Sequence, residues 1–154
     1  MSDNPIQDII RTAIQREIDA YALYSSASAK ADNAHVKEIL NDLAAQEQGH
    51  RARLEAILEG DTFRLVTKTQ RQKVTDLKIT DYLIEVPLTP DSDFQDILIV
   101  AGKREKGSHD LYAALAQVTE DAETTKLFEF LANEEMGHKN RVESLYEELV
   151  YKEN

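Results

Sequence analysis

The sequence repeats itself. Displaced by 88 positions, Ile6-Gln7-Asp8-Ile9-Ile10 falls on Phe94-Gln95-Asp96-Ile97-Leu98, Arg16-Glu17 on Arg104-Glu105, and Leu23-Tyr24 on Leu111-Tyr112. Without a gap the same displacement places Leu43-Ala44 on Leu131-Ala132, Glu47-Gln48-Gly49-His50 on Glu135-Met136-Gly137-His138, Arg53 on Arg141 and Glu55 on Glu143. An offset that keeps apolar residues on apolar residues over such a span describes one supersecondary unit present twice. Neither copy can close a core alone, so the two must pack on each other.

Within each copy the apolar residues recur at the helical period. Ile6, Ile10, Ala13, Ile14, Ala20, Tyr21 and Tyr24 form one stripe, with Asn4-Pro5 as cap and first turn, and this predicts a helix over about residues 5–30. Val36, Ile39, Leu40, Leu43, Leu54, Ile57 and Leu58 form a second stripe, opened by Asp32-Asn33 and stopped at Gly60. Pro90-Asp91-Ser92-Asp93 opens a third, with Phe94, Ile97, Leu98, Ala101, Leu111, Tyr112 and Leu115; Thr119-Glu120-Asp121 caps a fourth, with Leu127, Phe128, Leu131, Val142, Leu145 and Tyr146. Asp61 to Thr89 reads as a long crossover containing a short helix or extended stretch at Leu77–Pro87. The expected fold is all-α: an antiparallel four-helix bundle of two repeated helical hairpins joined by that crossover, the connectivity of ferritin-like bundles. Residues 1–154 are expected to form a single domain, with hairpin one over about 5–60, the crossover over about 61–90 and hairpin two over about 91–150.

Six polar residues interrupt these stripes where a core should be apolar: Glu17, Glu47 and His50 in the first copy, Glu105, Glu135 and His138 in the second. Thirty residues separate the first Glu from the second in both copies. Residues three apart on a helix share a face, so Glu47 with His50 and Glu135 with His138 each present an oxygen and a nitrogen donor inward. A lone Glu-x-x-His is a weak signal, usually a solvated pair; two in repeat register, each with a Glu 30 residues upstream on an apolar stripe, point to metal. Buried carboxylates cost several kcal/mol each unless neutralised. Two divalent cations balance four glutamates, and mixed carboxylate and imidazole ligation suits iron or manganese better than calcium.

Composition removes the competing chemistries. The chain has no cysteine, hence no disulfide, thiolate zinc site, iron–sulfur cluster or cysteine nucleophile. Its net charge of −11 disfavours nucleic acid and anionic lipid as partners. No apolar run approaches the roughly 20 residues that span a bilayer, and Met1-Ser2-Asp3-Asn4-Pro5 lacks the features of a signal peptide, so a cytoplasmic location is expected.

The spacing from Glu17 to Tyr24, together with Glu47-x-x-His50-x-x-Arg53 and Glu135-x-x-His138-x-x-Arg141, resembles the rubrerythrins and other ferritin-like diiron proteins over roughly residues 5–148. The resemblance implies two iron ions, with manganese or zinc as alternatives. Glu47 and Glu135 would bridge them, Glu17 and His50 completing one ion and Glu105 and His138 the other; Glu134 is the rival at the second bridge. Tyr24 and Tyr112, each seven residues after a ligand Glu, are expected to support the site by hydrogen-bonding a ligand or quenching radicals, the alternative being plain core tyrosines. The chain departs from the family pattern at Gly102, where rubrerythrins carry a further carboxylate, and it has no cysteine-bearing rubredoxin domain.

The resemblance implies a diiron oxidoreductase that reduces hydrogen peroxide, or dioxygen, with electrons from an external donor such as a rubredoxin, in a homodimer. Gly102 makes the site more bacterioferritin-like and keeps a second reading open, iron oxidation for storage or detoxification; against storage, no fifth helix follows the fourth. A manganese catalase-like or purely structural metal bundle is the third. His109, four residues after Glu105, is expected to be a core histidine with a neighbouring partner rather than a seventh ligand, and His35 to lie on the surface. Gly49 and Gly137, inside helices, are explained either by close packing, by room for a small oxidant or by the duplication alone.

Overall fold

The structure, a computed structural model, describes residues 5–60 and 93–153, and every regular element among them is a helix. Helix α1 spans Pro5–Lys30, α2 Ala34–Glu59, α3 Phe94–Val118 and α4 Ala122–Glu153. The predicted crossover lies outside the described residues. None of the described helices is long and apolar enough to cross a membrane.

Short polar junctions turn each hairpin. Between α1 and α2 the Asn33 side chain accepts hydrogen bonds from the backbone N–H groups of His35 and Val36, satisfying two of the orphan donors at the start of α2. Asp93 caps α3 by accepting from the Asp96 N–H at 2.8 Å. Asp121 accepts from both the N–H and the hydroxyl of Thr124 at the start of α4, and those donors hold its carboxyl below the usual range. Gly60 does end α2, although not through a left-handed turn: its φ is −78° and ψ 166°, and its N–H closes on the Ile57 carbonyl.

Helix α1 packs chiefly on α2 and α3 chiefly on α4, and the two hairpins meet through α1 against α3 and α2 against α4. The result is the expected ferritin-like four-helix bundle. Its interior holds two apolar clusters. One gathers Ile6, Ile10, Ala13 and Leu54 with Leu111, Tyr112, Leu115, Phe128, Leu131 and Ala132. The other gathers Leu23, Tyr24, Ala27, Leu40, Leu43 and Ala44 with Leu98, Ala101 and Val142. The 88-residue displacement exchanges the clusters: Ile10 maps to Leu98, Ala13 to Ala101, Leu54 to Val142, Tyr24 to Tyr112 and Leu40 to Phe128. The duplication is therefore a pseudo-two-fold axis of the bundle. On each helix one cluster ends and the other begins around the interrupting residues, so the polar group lies between two hydrocarbon plugs. One stripe residue departs from expectation: Tyr21 is exposed, because α1 turns that side of the helix to solvent.

Candidate metal centre

Each helix delivers its polar residues to the same level of the bundle. Glu17 on α1, Glu47 and His50 on α2, Glu105 on α3, and Glu135 and His138 on α4 are all between 1% and 3% exposed, which removes bulk solvent from around them. Their donor atoms fall into two groups, Glu17, Glu47, His50 and Glu135, and Glu47, Glu105, Glu135 and His138. Within each group the donor atoms lie within 4.8 Å of one another. Glu47 and Glu135 belong to both groups; Glu134, half-buried, belongs to neither.

The six side chains leave the same signature. Glu17 Oε2, Glu47 Oε1, His50 Nδ1, Glu105 Oε2, Glu135 Oε1 and His138 Nδ1 are buried without a hydrogen-bond partner. His50 Nδ1 approaches Glu135 Oε1 at 2.7 Å and His138 Nδ1 approaches Glu47 Oε1 at 2.5 Å, yet neither contact has hydrogen-bond geometry. The two imidazoles stack with centroids 5.4 Å apart and planes 11° from parallel. Buried polar atoms in native proteins are nearly always satisfied. At least one orphan from each of six convergent residues, four of them carboxylates, fits a pair of cations.

The other carboxylate oxygens are accounted for, and the accounting crosses the pseudo-two-fold. The Tyr24 hydroxyl on α1 donates to Glu105 Oε1 on α3 at 2.6 Å, and the Tyr112 hydroxyl on α3 donates to Glu17 Oε1 on α1 at 2.6 Å. Each bond fixes its carboxylate so that Oε2 faces the centre. Burial pushes both phenols well above their ordinary range, and the charge of Glu105 on Tyr24 and of Glu17 on Tyr112 pushes them further. Both therefore stay protonated and remain donors.

Without a cation the cluster is under electrostatic stress. Burial pushes Glu47 and Glu135 well above the usual carboxylate range, and the charge of Glu105 adds to it on both. Burial acts on Glu17 in the same direction, but the nearby His50 and Glu47 and the hydrogen bond from Tyr112 outweigh it, and Glu17 ends below the ordinary value.

His109 is half-buried with Nδ1 2.7 Å from the Ala132 carbonyl oxygen, a core histidine with a backbone partner rather than a member of either group. His35 is exposed, as expected. A Cβ added at Gly49, Gly137 or Gly102 would meet nothing within 4 Å, so close packing does not explain these glycines. Sequence reasoning passed over Gln46, whose Oε1 lies 2.7 Å from His138 Nε2, and Arg16, whose guanidinium donates to Ser108 Oγ and the Arg104 carbonyl. Arg16, Ser108, Glu105 and Glu135 line a cavity of about 20 Å³ between α1, α3 and α4, room for one water-sized molecule beside the carboxylates. Gln46 directly precedes Glu47, but nothing local marks it as a partner of a histidine 92 residues away.

The family model described as Rubrerythrin matches residues 8–146, a stretch containing all six convergent residues. The chain belongs to the rubrerythrin family. A hypothetical protein from Pyrococcus furiosus shares the rubrerythrin-like fold, with a TM-score of 0.71 at 23% identity over 98% of this chain and 94% of that one. No curated protein is similar enough to count as a relative. Rubrerythrin membership and the buried Glu and His cluster together support metal binding within the bundle.

Proposed function

We propose that this rubrerythrin-family protein holds two iron ions and reduces hydrogen peroxide to water with electrons from an external donor. The observation that carries the reading is the set of six orphaned donor atoms, two of them on carboxylates common to both groups. Glu47 and Glu135 would bridge; Glu17 with His50 would complete one ion and Glu105 with His138 the other. When bound, two ferrous ions supply one electron each, so that peroxide and two protons yield two waters.

The chain's own residues supply geometry and exclusion. Tyr24 and Tyr112 hold the terminal carboxylates in one orientation through their 2.6 Å bonds. The apolar clusters on either side keep bulk water out, and a water-sized cavity with Arg16 and Ser108 at its wall lies beside Glu105 and Glu135. The acidic chain serves this chemistry in the cytoplasm as a homodimer, with a small redox protein such as a rubredoxin as donor.

Gly102 favours a second reading, iron oxidation by dioxygen: the space beside it is open, and the site has no additional carboxylate there. Rapid mixing of the diferrous protein with peroxide and, separately, with dioxygen separates the two. The proposal expects much faster oxidation by peroxide; equal or faster reaction with dioxygen overturns it in favour of iron oxidation. Native protein holding zinc or manganese without redox activity overturns both.

A further inference from the structure

The two halves of the site are copies in their ligands but not in what stands behind them. His138 Nε2 lies 2.7 Å from Gln46 Oε1. The Gln46 amide nitrogen donates to Asp42 Oδ2 at 2.8 Å, and the Arg141 guanidinium donates to the same oxygen at 2.9 Å. Asp42 is a carboxylate and only accepts, so it fixes which end of the Gln46 amide faces inward. That end is the oxygen. His138 Nε2 must therefore carry the proton, which leaves Nδ1 as the lone pair aimed at the centre.

The pseudo-two-fold gives His50 no such contact: Glu134 stands in register with Gln46, yet no hydrogen bond joins it to His50 Nε2. Phe130 occupies the position that corresponds to Asp42, and Arg53, the counterpart of Arg141, sits over the Phe130 ring at 4.8 Å instead of on a carboxylate. Phe130 meets His50 edge-on with centroids 6.5 Å apart. His50 Nε2 is buried and has no hydrogen-bond partner. A chain of three residues reaching the surface, Gln46, Asp42 and Arg141, sets one imidazole, while an aromatic edge stands beside the other.

We infer that Gln46 is a positioning residue that makes the two metal positions unequal, the one completed by Glu105 and His138 filling first and more tightly. The inference rests on the metal reading above. A ligand whose tautomer and ring plane are preset loses less freedom on binding, and outer partners of ligating histidines change metal affinity by about 10- to 100-fold. In His50 the ring has no such anchor, and the buried Nε2–H of its metal-ready tautomer is left unpaired.

The test is anaerobic titration of the full, metal-free chain with Co(II), read by calorimetry and visible absorption, for the native protein, Gln46→Leu and Gln46→Glu. The native chain is expected to bind two ions in two steps, the first about tenfold tighter or more. Gln46→Leu brings the steps together by weakening the first, and Gln46→Glu, which keeps an acceptor facing His138, restores the separation. A proton–nitrogen spectrum of the metal-free protein gives a readout free of metal. Besides the N–H that His109 donates to the Ala132 carbonyl, one exchange-protected imidazole N–H is expected from the two convergent histidines, on His138 Nε2, absent in Gln46→Leu and present in Gln46→Glu. Two equal steps in the native chain, or a Gln46→Leu variant that keeps its step separation and its protected proton, overturn the inference and leave the metal reading standing. A native chain that binds no ion overturns both.

Discussion

Replacing Glu47 with glutamine separates what the centre does for metal from what it does to the fold, because the two effects have opposite signs. In the metal-free protein Glu47 is 1% exposed and pushed well above the usual carboxylate range by burial and by the charges of Glu105 and Glu17. Glu47→Gln keeps the shape and removes a carboxyl whose ionisation the folded site opposes. Exchanging buried ionic groups for uncharged ones of similar volume is often neutral or stabilising, in the stabilising cases by roughly 1–4 kcal/mol. Unfolding entropy of about 2.1 cal/mol/K per residue over 154 residues is roughly 0.3 kcal/mol/K, so 1 kcal/mol moves the melting temperature about 3 °C. The metal-free variant is expected to melt about 3–12 °C above the metal-free native chain.

With metal the order reverses. An ion at 100 times its dissociation constant stabilises the native chain by about 2.7 kcal/mol, or roughly 8 °C. If losing a bridging carboxylate weakens binding about 100-fold, the gain at the same concentration falls to RT ln 2, about 0.4 kcal/mol and roughly 1 °C. Circular-dichroism melts of both chains, in chelator and in anaerobic Fe(II), read both arms. A metal-free variant that melts below the native chain refutes the claim that the carboxylates oppose folding. A variant that keeps the native metal-induced shift refutes the bridging role of Glu47.

Tyr112→Phe removes the donor to Glu17 Oε1 and leaves a second buried oxygen of that carboxylate unsatisfied; a loss of about 1–3 kcal/mol is expected, measurable as a fall of roughly 3–9 °C in the metal-free melt, and an unchanged melting temperature would remove the tyrosine from the scaffold of the site. The pH dependence of the metal-free chain follows from Glu47 and Glu135, whose folded values are raised by burial. The folded state holds protons that the unfolded state has released, so these two groups favour folding at acid pH and lose that contribution as pH rises above the ordinary carboxylate value; Glu17, with its lowered value, opposes them only in part. Melts of the metal-free native chain should therefore fall from pH 5 to pH 8 by more than those of Glu47→Gln, and parallel curves for the two chains would contradict the assigned shifts.

The fold was legible because the feature that fixes it is local and repeated. Helix periodicity, Asn33, Asp93 and Asp121 at the caps and the 88-residue register require no knowledge of which helices touch. The six convergent residues were legible for the same reason: each breaks an apolar stripe, and the break recurs in the second copy. Where a residue's role depends on which neighbour faces it, the sequence was silent. Tyr21 lies on the periodic stripe of α1, yet solvent rather than another helix meets it. Gln46 sits beside a ligand in the chain but acts on a histidine of another helix, and Asp42 looks like any surface acid until Arg141 is seen across from it.

Repetition also conceals as much as it reveals. A duplicated hairpin suits a two-ion site because each copy brings three of the convergent residues and the axis between them places Glu47 and Glu135 in both donor groups. Strict symmetry would also make the two ions chemically identical. The positions free to drift are those one helical turn outside the ligands, where neither the cores nor the metal constrain them, and there the copies have diverged: Asp42 against Phe130, Gln46 against Glu134. The divergence lies within reach of the two imidazoles and nowhere in the ligand set, so an inequality between the ions, if selected, had to be written in residues that never touch them.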